Sequence, residues 1–395
     1  MLFPLLMSVL TLHAQTSPRA LQIHKDALVF DAHLHMINRQ LYNGGDIGVR
    51  VSDGQVDLPR AKEGGLDAMF FTVYITEQYY PARYETKQAI RLLDLAVQQI
   101  ERNRDKIGLA LNASDILRLN KQGKIAAMLD LEGGFDLDGD LGVLRALYGM
   151  GLRVAQLPAH NWANEFADSC CSAVQKAGGL NEHGRAVVKE MNRLGMVINI
   201  SHASDKTIEQ VLEVSSDPVM ATHHGLRSFN DIPRTLPDDL VKKIAAKGGV
   251  IGFHIGCEFH DRRFFDYRTK QAGRPFWDTK EIGKKESQMT IAEIDKRVAR
   301  MFPSVGIKAP EDIKLTVDEW FRVVDRVIEL AGEDHVALGS DFDGGPTPPK
   351  PIRDIRDLPL LTEAMLKRGY SEARIRKFLG GNTLRVVRQV TEKKK

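Results

Sequence analysis

Apolar residues along this chain fall into short dense runs, and most runs stop at a residue able to bind a metal or move a proton. Runs rich in β-branched and other apolar residues cover 28–33, 66–74, 125–131, 152–159, 196–201, 218–222, 249–254 and 335–339, each about the length of one buried strand. Between them, apolar positions at helical spacing predict helices over 88–102, 140–148, 182–194, 204–214, 236–246 and 317–330. Ser204 or Asp205 can receive the free N–H groups that open one helix, and Gly195 ends another just before a strand. Near-continuous apolar strands alternating with helices imply a parallel sheet covered by helices on its outer face. Eight such units predict an α/β fold of the closed (β/α)8 TIM-barrel type. A doubly wound open sheet would call for a glycine-rich phosphate loop after the first strand, and none follows.

The expected organisation is a signal peptide over residues 1–20 and a single barrel over 21–395, with a long insertion around 257–290. The leader is apolar from Met1 to Leu12, offers cleavage after Ala14 and is too short to cross a bilayer. Export to the periplasm or the medium is the expectation. The insertion is dense in charge and aromatics (His260, Arg262, Arg263, Phe264, Phe265, Tyr267, Phe276, Trp277) and follows the seventh strand, on the face where barrels place active sites.

Composition narrows the function classes. Apolar residues make up 43% and charged residues 27%, ordinary for a soluble protein. A formal charge of +3 without a basic stripe argues against nucleic acid as a partner. Three cysteines, two of them adjacent (Cys170, Cys171), form neither a disulfide framework nor a CxxC pattern. Metal chemistry must therefore come from nitrogen and oxygen ligands.

Those ligands stand at the strand ends. His33 and His35 share one face of the first strand. Glu132 follows the third, His160 the fourth, His202 the fifth, His223 and His224 the sixth, and the eighth runs into Asp341. His254 ends the seventh. Seven of the twelve histidines thus sit where a barrel gathers its strand ends. Packing alone has little use for so many converging polar groups. His33, His35, His202 and His223 with Glu132 fit two metal ions sharing one carboxylate, able to hold a bridging hydroxide and polarise a carbonyl. Zinc is the first choice from N/O ligation, with manganese and iron left open. Asp341 can act as general base and acid, and His160 or His254 can stabilise an oxyanion.

Taken together, Phe30-Asp31-Ala32-His33, Leu131-Glu132-Gly133-Gly134, His160-Asn161 with Ala167-Asp168, Ile200-Ser201-His202-Ala203-Ser204, Thr222-His223, Arg234 with Leu236-Pro237-Asp238-Asp239, Gly339-Ser340-Asp341-Phe342-Asp343-Gly344 and Gly380-Gly381-Asn382-Thr383-Leu384-Arg385 resemble the membrane (renal) dipeptidase family of zinc metallopeptidases. The resemblance covers most of residues 25–390. It implies a metallodipeptidase acting on small dipeptides, with tolerance of a D-residue in the second place. It implies two zinc ions bridged by Glu132, one also held by His33 and the residue two further on, the other by His202 and His223. It further implies that His160 faces the tetrahedral intermediate, that Arg234 binds the substrate's C-terminal carboxylate, and that Asp341 is the catalytic acid, with Asp343 shaping its loop. His223 fits the family pattern better than His224 through its spacing to Arg234. The expected partners are a dipeptide and, as an assembly, a homodimer, with neither nucleic acid nor a transmembrane span.

Two departures stand out. The family usually has aspartate where this chain has His35, and it often has asparagine where His254 stands, with a tyrosine near Gly256 that is missing here. His254 is nonetheless expected, with Arg234 and His160, among the substrate contacts. The His33-x-His35 pair alone would equally suit a barrel amidohydrolase acting on another amide, ester or lactone, and the two departures motivate a non-hydrolytic binding or tailoring protein of the same fold.

Overall fold

Among the described residues, ten strands form one sheet: β1 (Phe30–Leu34), β2 (Ala68–Tyr74), β3 (Ile107–Leu109), β4 (Ile125–Glu132), β5 (Leu152–Gln156), β6 (Val197–Asn199), β7 (Met220–Leu226), β8 (Thr235–Leu236), β9 (Val250–Phe253) and β10 (Val336–Leu338). The computed structural model describes residues 16–75, 82–133, 139–158, 160–161, 164–172, 174–275, 289–301 and 306–393. The leader to Ala14, Gly134, Ala159, Phe276 and Trp277 lie outside the described residues. Eight strands run in the order β1-β2-β4-β5-β6-β7-β9-β10, with β3 beside β4 and β8 beside β7. Each pairing is parallel. The ring is nearly closed where the Asp341 N–H donates to the His33 carbonyl at 2.9 Å and the His35 N–H donates to that of Phe342 at 3.0 Å. This is the (β/α)8 barrel expected from the alternation of strands and helices.

The barrel interior changes character along its axis. At the strand starts, Phe70, Met128, Val154, Val197, Met220 and Val250 pack with Val386, Val387 and Val390 of the final helix, Asn382–Thr391. That helix is pinned below the barrel by Arg385, which donates to the carbonyls of Gly248 and Asp334 at 2.8 Å each. One step of two residues further along the strands, the buried side chains are Thr72, Asp130, Gln156, Asn199 and Thr222. Thr72 Oγ1 donates to Asp130 Oδ2 at 3.1 Å, so part of this polar belt is satisfied internally. The next step reaches Glu132 and the histidines. An apolar floor under a polar belt places the chemistry at the C-terminal mouth.

Close strand approach needs glycine in this upper region. A Cβ on Gly339 would lie 1.7 Å from the carbonyl oxygen of Thr222, and one on Gly252 would lie 2.1 Å from the same atom. Elsewhere the structure departs from the periodicity. β7 continues to Leu226 instead of stopping at Thr222, so His223 and His224 are strand residues. The insertion opens with a 3-10 turn, Cys257–Phe259, and continues as a helix, Arg262–Ala272, that buries only Phe264 and Phe265 and is opened by the Asp261 carboxylate accepting from two backbone N–H groups. Just past the insertion, helix Ile291–Val298 starts with a reciprocal cap between Thr290 and Glu293. Cys170 and Cys171 are bonded to each other, and Cys257 is free and buried. Among the described residues no helix is long and apolar enough to cross a membrane.

Gly339→Ala should lower the thermal midpoint, through overpacking that costs about 1–3 kcal/mol. Gly149→Ala, with open space around its would-be Cβ at the end of helix Leu141–Gly149, should not. Equal midpoints for the two variants would contradict the tight approach of these strands.

Candidate metal centre

Glu132 is the last residue of β4 and is buried under five imidazoles. Its two oxygens face different partners. Oε2 lies 3.2 Å from His33 Nε2 and 3.0 Å from His35 Nε2. Oε1 lies 2.9 Å from His202 Nε2 and 3.6 Å from His223 Nε2. Within each pair the Nε2 atoms also face each other, at 3.0 Å for His33 and His35 and 3.1 Å for His202 and His223. Two imidazole lone pairs and a carboxylate oxygen converging on one point repel unless a cation or proton lies among them. This donor set fits a metal ion in each half, with Glu132 common to both.

The far sides of the rings are held where a ligand histidine needs support. His33 Nδ1 lies 3.3 Å from both Asp130 Oδ2 and Thr72 Oγ1. His202 Nδ1 meets Asn161 Oδ1 at 2.9 Å, and His223 Nδ1 meets Thr222 Oγ1 at 3.0 Å. These contacts leave Nε2 as the inward nitrogen. His35 Nδ1 has no hydrogen-bond partner. Asp130, Thr72 and Thr222 were not singled out as supports in the sequence, because a polar residue inside an apolar run gives no sign of which ring it will meet.

The remaining candidates surround this centre. Asp341 Oδ1 lies 2.9 Å from His35 Nε2 and 3.8 Å from His33 Nε2, and Oδ2 lies 2.9 Å from His254 Nε2. His160 brings Nε2 to 3.7 Å from Glu132 Oε1, with its ring 4.0 Å from that of His202. Tyr74, absent from the expected set, places its hydroxyl 3.5 Å from His160 Nδ1. Arg234 is buried with Nη2 3.1 Å from His202 Nε2, while Nε and Nη1 have no hydrogen-bond partner. His224 is buried without bringing a ring nitrogen to Glu132, and neither nitrogen has a hydrogen-bond partner. Asp343 accepts from the Gln55 N–H at 2.6 Å and from Arg39 Nη2 at 2.9 Å, which ties its loop down.

Backbone strain concentrates here. His160, His202, Asp341 and Asp343 have φ of 48°, 67°, 62° and 64°. Left-handed backbone is unfavourable for residues with a side chain. Among the described non-glycine residues, these four alone adopt it. Such strain persists where the surrounding structure over-determines it.

The electrostatics ask for positive charge in the first half. Burial opposes charge on His33, but Glu132, Asp130 and Asp341 outweigh it and raise its pKa to about 10. Burial of His35 is likewise outweighed by Glu132 and Asp341, giving about 9. In the second half burial wins. It holds His202 and His223 well below the ordinary value, helped by the Arg234 guanidinium. His160 falls to about 4, chiefly through burial.

A parallel barrel with imidazoles and one shared carboxylate at its C-terminal mouth has the build of a metal-dependent hydrolase. The chain belongs to the membrane dipeptidase family, peptidase family M19, whose profile matches residues 17–395, and is a metallodipeptidase. Dipeptidase verJ of Clonostachys rogersoniana is 30% identical over 346 residues, spanning 85% of this chain and 76% of that protein. Dipeptidase 3 of Mus musculus is 29% identical over 388 residues, spanning 95% and 66%. The probable dipeptidase PvdM of Pseudomonas aeruginosa superposes with a TM-score of 0.75 at 23% identity, over 95% of this chain and all of that one (100%). A metallopeptidase from Rhodobacter sphaeroides, solved with a phosphinate mimic of the dipeptide L-Ala-D-Ala, gives 0.73 at 24% identity over 92% and 100%. These two likenesses establish the fold.

Metal must displace the protons that His33 and His35 carry at neutral pH. Zinc binding at pH 7–8 should therefore release protons, and its affinity should rise with pH across that range. Calorimetry in buffers of different ionisation enthalpy reads the release. A buffer-independent heat would contradict the raised pKa values.

Proposed function

We propose that this metallodipeptidase cleaves the single amide of a dipeptide carrying a free C-terminal carboxylate, with two zinc ions on either side of Glu132. The observation that carries this reading is the division of the Glu132 oxygens between two imidazole pairs. Zinc bound there would supply Lewis acidity and a water acidified to a nucleophile near neutral pH.

The chain's own residues set the rest. Arg234 has two unpartnered guanidinium nitrogens beside His202, and a planar fork of this kind can clasp a carboxylate with two bonds. Burial raises the energetic stake of that pairing, since an enclosed cation without an anion is costly. Asp341 is held well below the usual carboxylate range by His254 and His35 in spite of its burial, so it enters the reaction ionised. It can take the proton of the attacking water and return it to the leaving nitrogen. His160 is neutral near pH 7 and presents Nε2 on the Glu132 side, where an N–H could meet the developing oxyanion. The Tyr74 hydroxyl beside its Nδ1 favours a proton on Nε2.

L-Ala-D-Ala is the test substrate we choose, since the Rhodobacter sphaeroides protein was solved with its phosphinate mimic. His202→Ala and Glu132→Ala should abolish hydrolysis and lower the zinc content. Arg234→Lys should reduce kcat/KM by about tenfold to a hundredfold, the loss of a charge-assisted hydrogen bond worth ~1.5–3 kcal/mol. A dipeptide amidated at its C-terminus should suffer a similar loss with the unmodified enzyme. Equal turnover of free and amidated dipeptides would contradict the role given to Arg234.

A further inference from the structure

Asp341 is bracketed by two histidines, His35 and His254. Oδ1 lies 2.9 Å from His35 Nε2, and Oδ2 lies 2.9 Å from His254 Nε2. The two contacts differ in kind. The His254 contact is an aligned hydrogen bond. The Oδ1 atom is buried without a hydrogen-bond partner despite its short distance to His35, as befits two donor atoms turned toward a common cation. His33, His35 and Asp341 together offer three ligand atoms within 4.8 Å of one another.

His254 is itself fixed on every side. The Gly256 N–H donates to its Nδ1 at 2.8 Å, which leaves Nε2 as the nitrogen that donates to Asp341. Its carbonyl accepts from Trp320 Nε1 at 2.9 Å and from His260 Nε2 at 2.6 Å. Its ring stacks on Phe259 with 3.7 Å between centroids and 19° between planes. No freedom remains for the imidazole to turn toward a substrate without breaking these contacts.

We propose that His254 is a positioning residue: it holds Asp341 Oδ2 so that Oδ1 completes the first metal position with His33 and His35. Asp341 then supplies the negative charge that His35, a neutral ligand, does not bring. Gly344 leaves room for that oxygen, since a Cβ there would lie 1.9 Å from Asp341 Oδ1. The inference rests on reading the centre as a metal site but is independent of which substrate is cleaved.

The test compares zinc retention in wild-type protein, His254→Phe and His254→Gln without substrate, by elemental analysis and chelator competition. Phenylalanine keeps the stacking on Phe259 and removes the donor. Glutamine can return an N–H to Oδ2. His254→Phe should bind one of its two zinc ions about tenfold to a hundredfold more weakly, the usual loss when support behind a ligand is removed. His254→Gln should recover most of that affinity. Thermal unfolding of the zinc-free proteins separates this from a folding defect, and His254→Gln serves as the readout if His254→Phe does not fold. Both ions held at wild-type affinity in His254→Phe would overturn the positioning role, and a raised KM with unchanged zinc affinity would make His254 a substrate contact instead. Wild-type protein that binds no zinc would overturn the metal centre itself.

Discussion

A single buried carboxylate holds this structure's mouth together. Glu132 stands at the end of β4 with each oxygen turned to a different pair of imidazoles, and its pKa lies well below the usual range because His33, His35 and His202 offset the cost of burial. An isolated ionised carboxylate in that position would be strongly destabilising. The surrounding nitrogens make it tolerable, and they repel one another unless cations are shared among them. The barrel therefore folds around a set of groups that are fully satisfied only when metal is bound.

That demand explains the barrel's layering. The apolar floor sealed by the final helix excludes water from below, and the polar belt of Thr72, Asp130 and Thr222 gives the inner rings their outer partners. Four residues at the rim accept left-handed backbone, and His160, His202 and Asp341 among them belong to the centre. Their strain is offset by contacts that cross between neighbouring loops. Ser169 Oγ donates to the His160 carbonyl at 2.7 Å, and the Cys170 N–H donates to that of His202 at 2.7 Å. The segment holding the bonded cysteines thus fastens two of the strained histidines.

Much of this was legible in the sequence because strand alternation and barrel geometry are strong constraints. His33 and His35 share a strand face, and Glu132, His202 and Asp341 close apolar runs, so their meeting followed from the fold. The choice between His223 and His224 did not, since β7 runs on through both and alternation alone favours neither; the spacing to Arg234 separated them. Strands β3 and β8, of three and two residues, are too short to leave a period. Helix Arg262–Ala272 was hidden because it buries so few apolar residues and depends on a cap at Asp261. The role of His254 was hidden for another reason. A histidine at a strand end reads as a group facing substrate, and only the Gly256 N–H on its other nitrogen shows which way its proton is committed.

The central claim is that Glu132 is shared between two metal positions. Anomalous diffraction at the zinc absorption edge from zinc-loaded crystals tests it most directly. The account predicts two peaks flanking the Glu132 carboxylate, one beside His33 and His35 and the other beside His202 and His223. A single peak, or zinc bound away from Glu132, would contradict it.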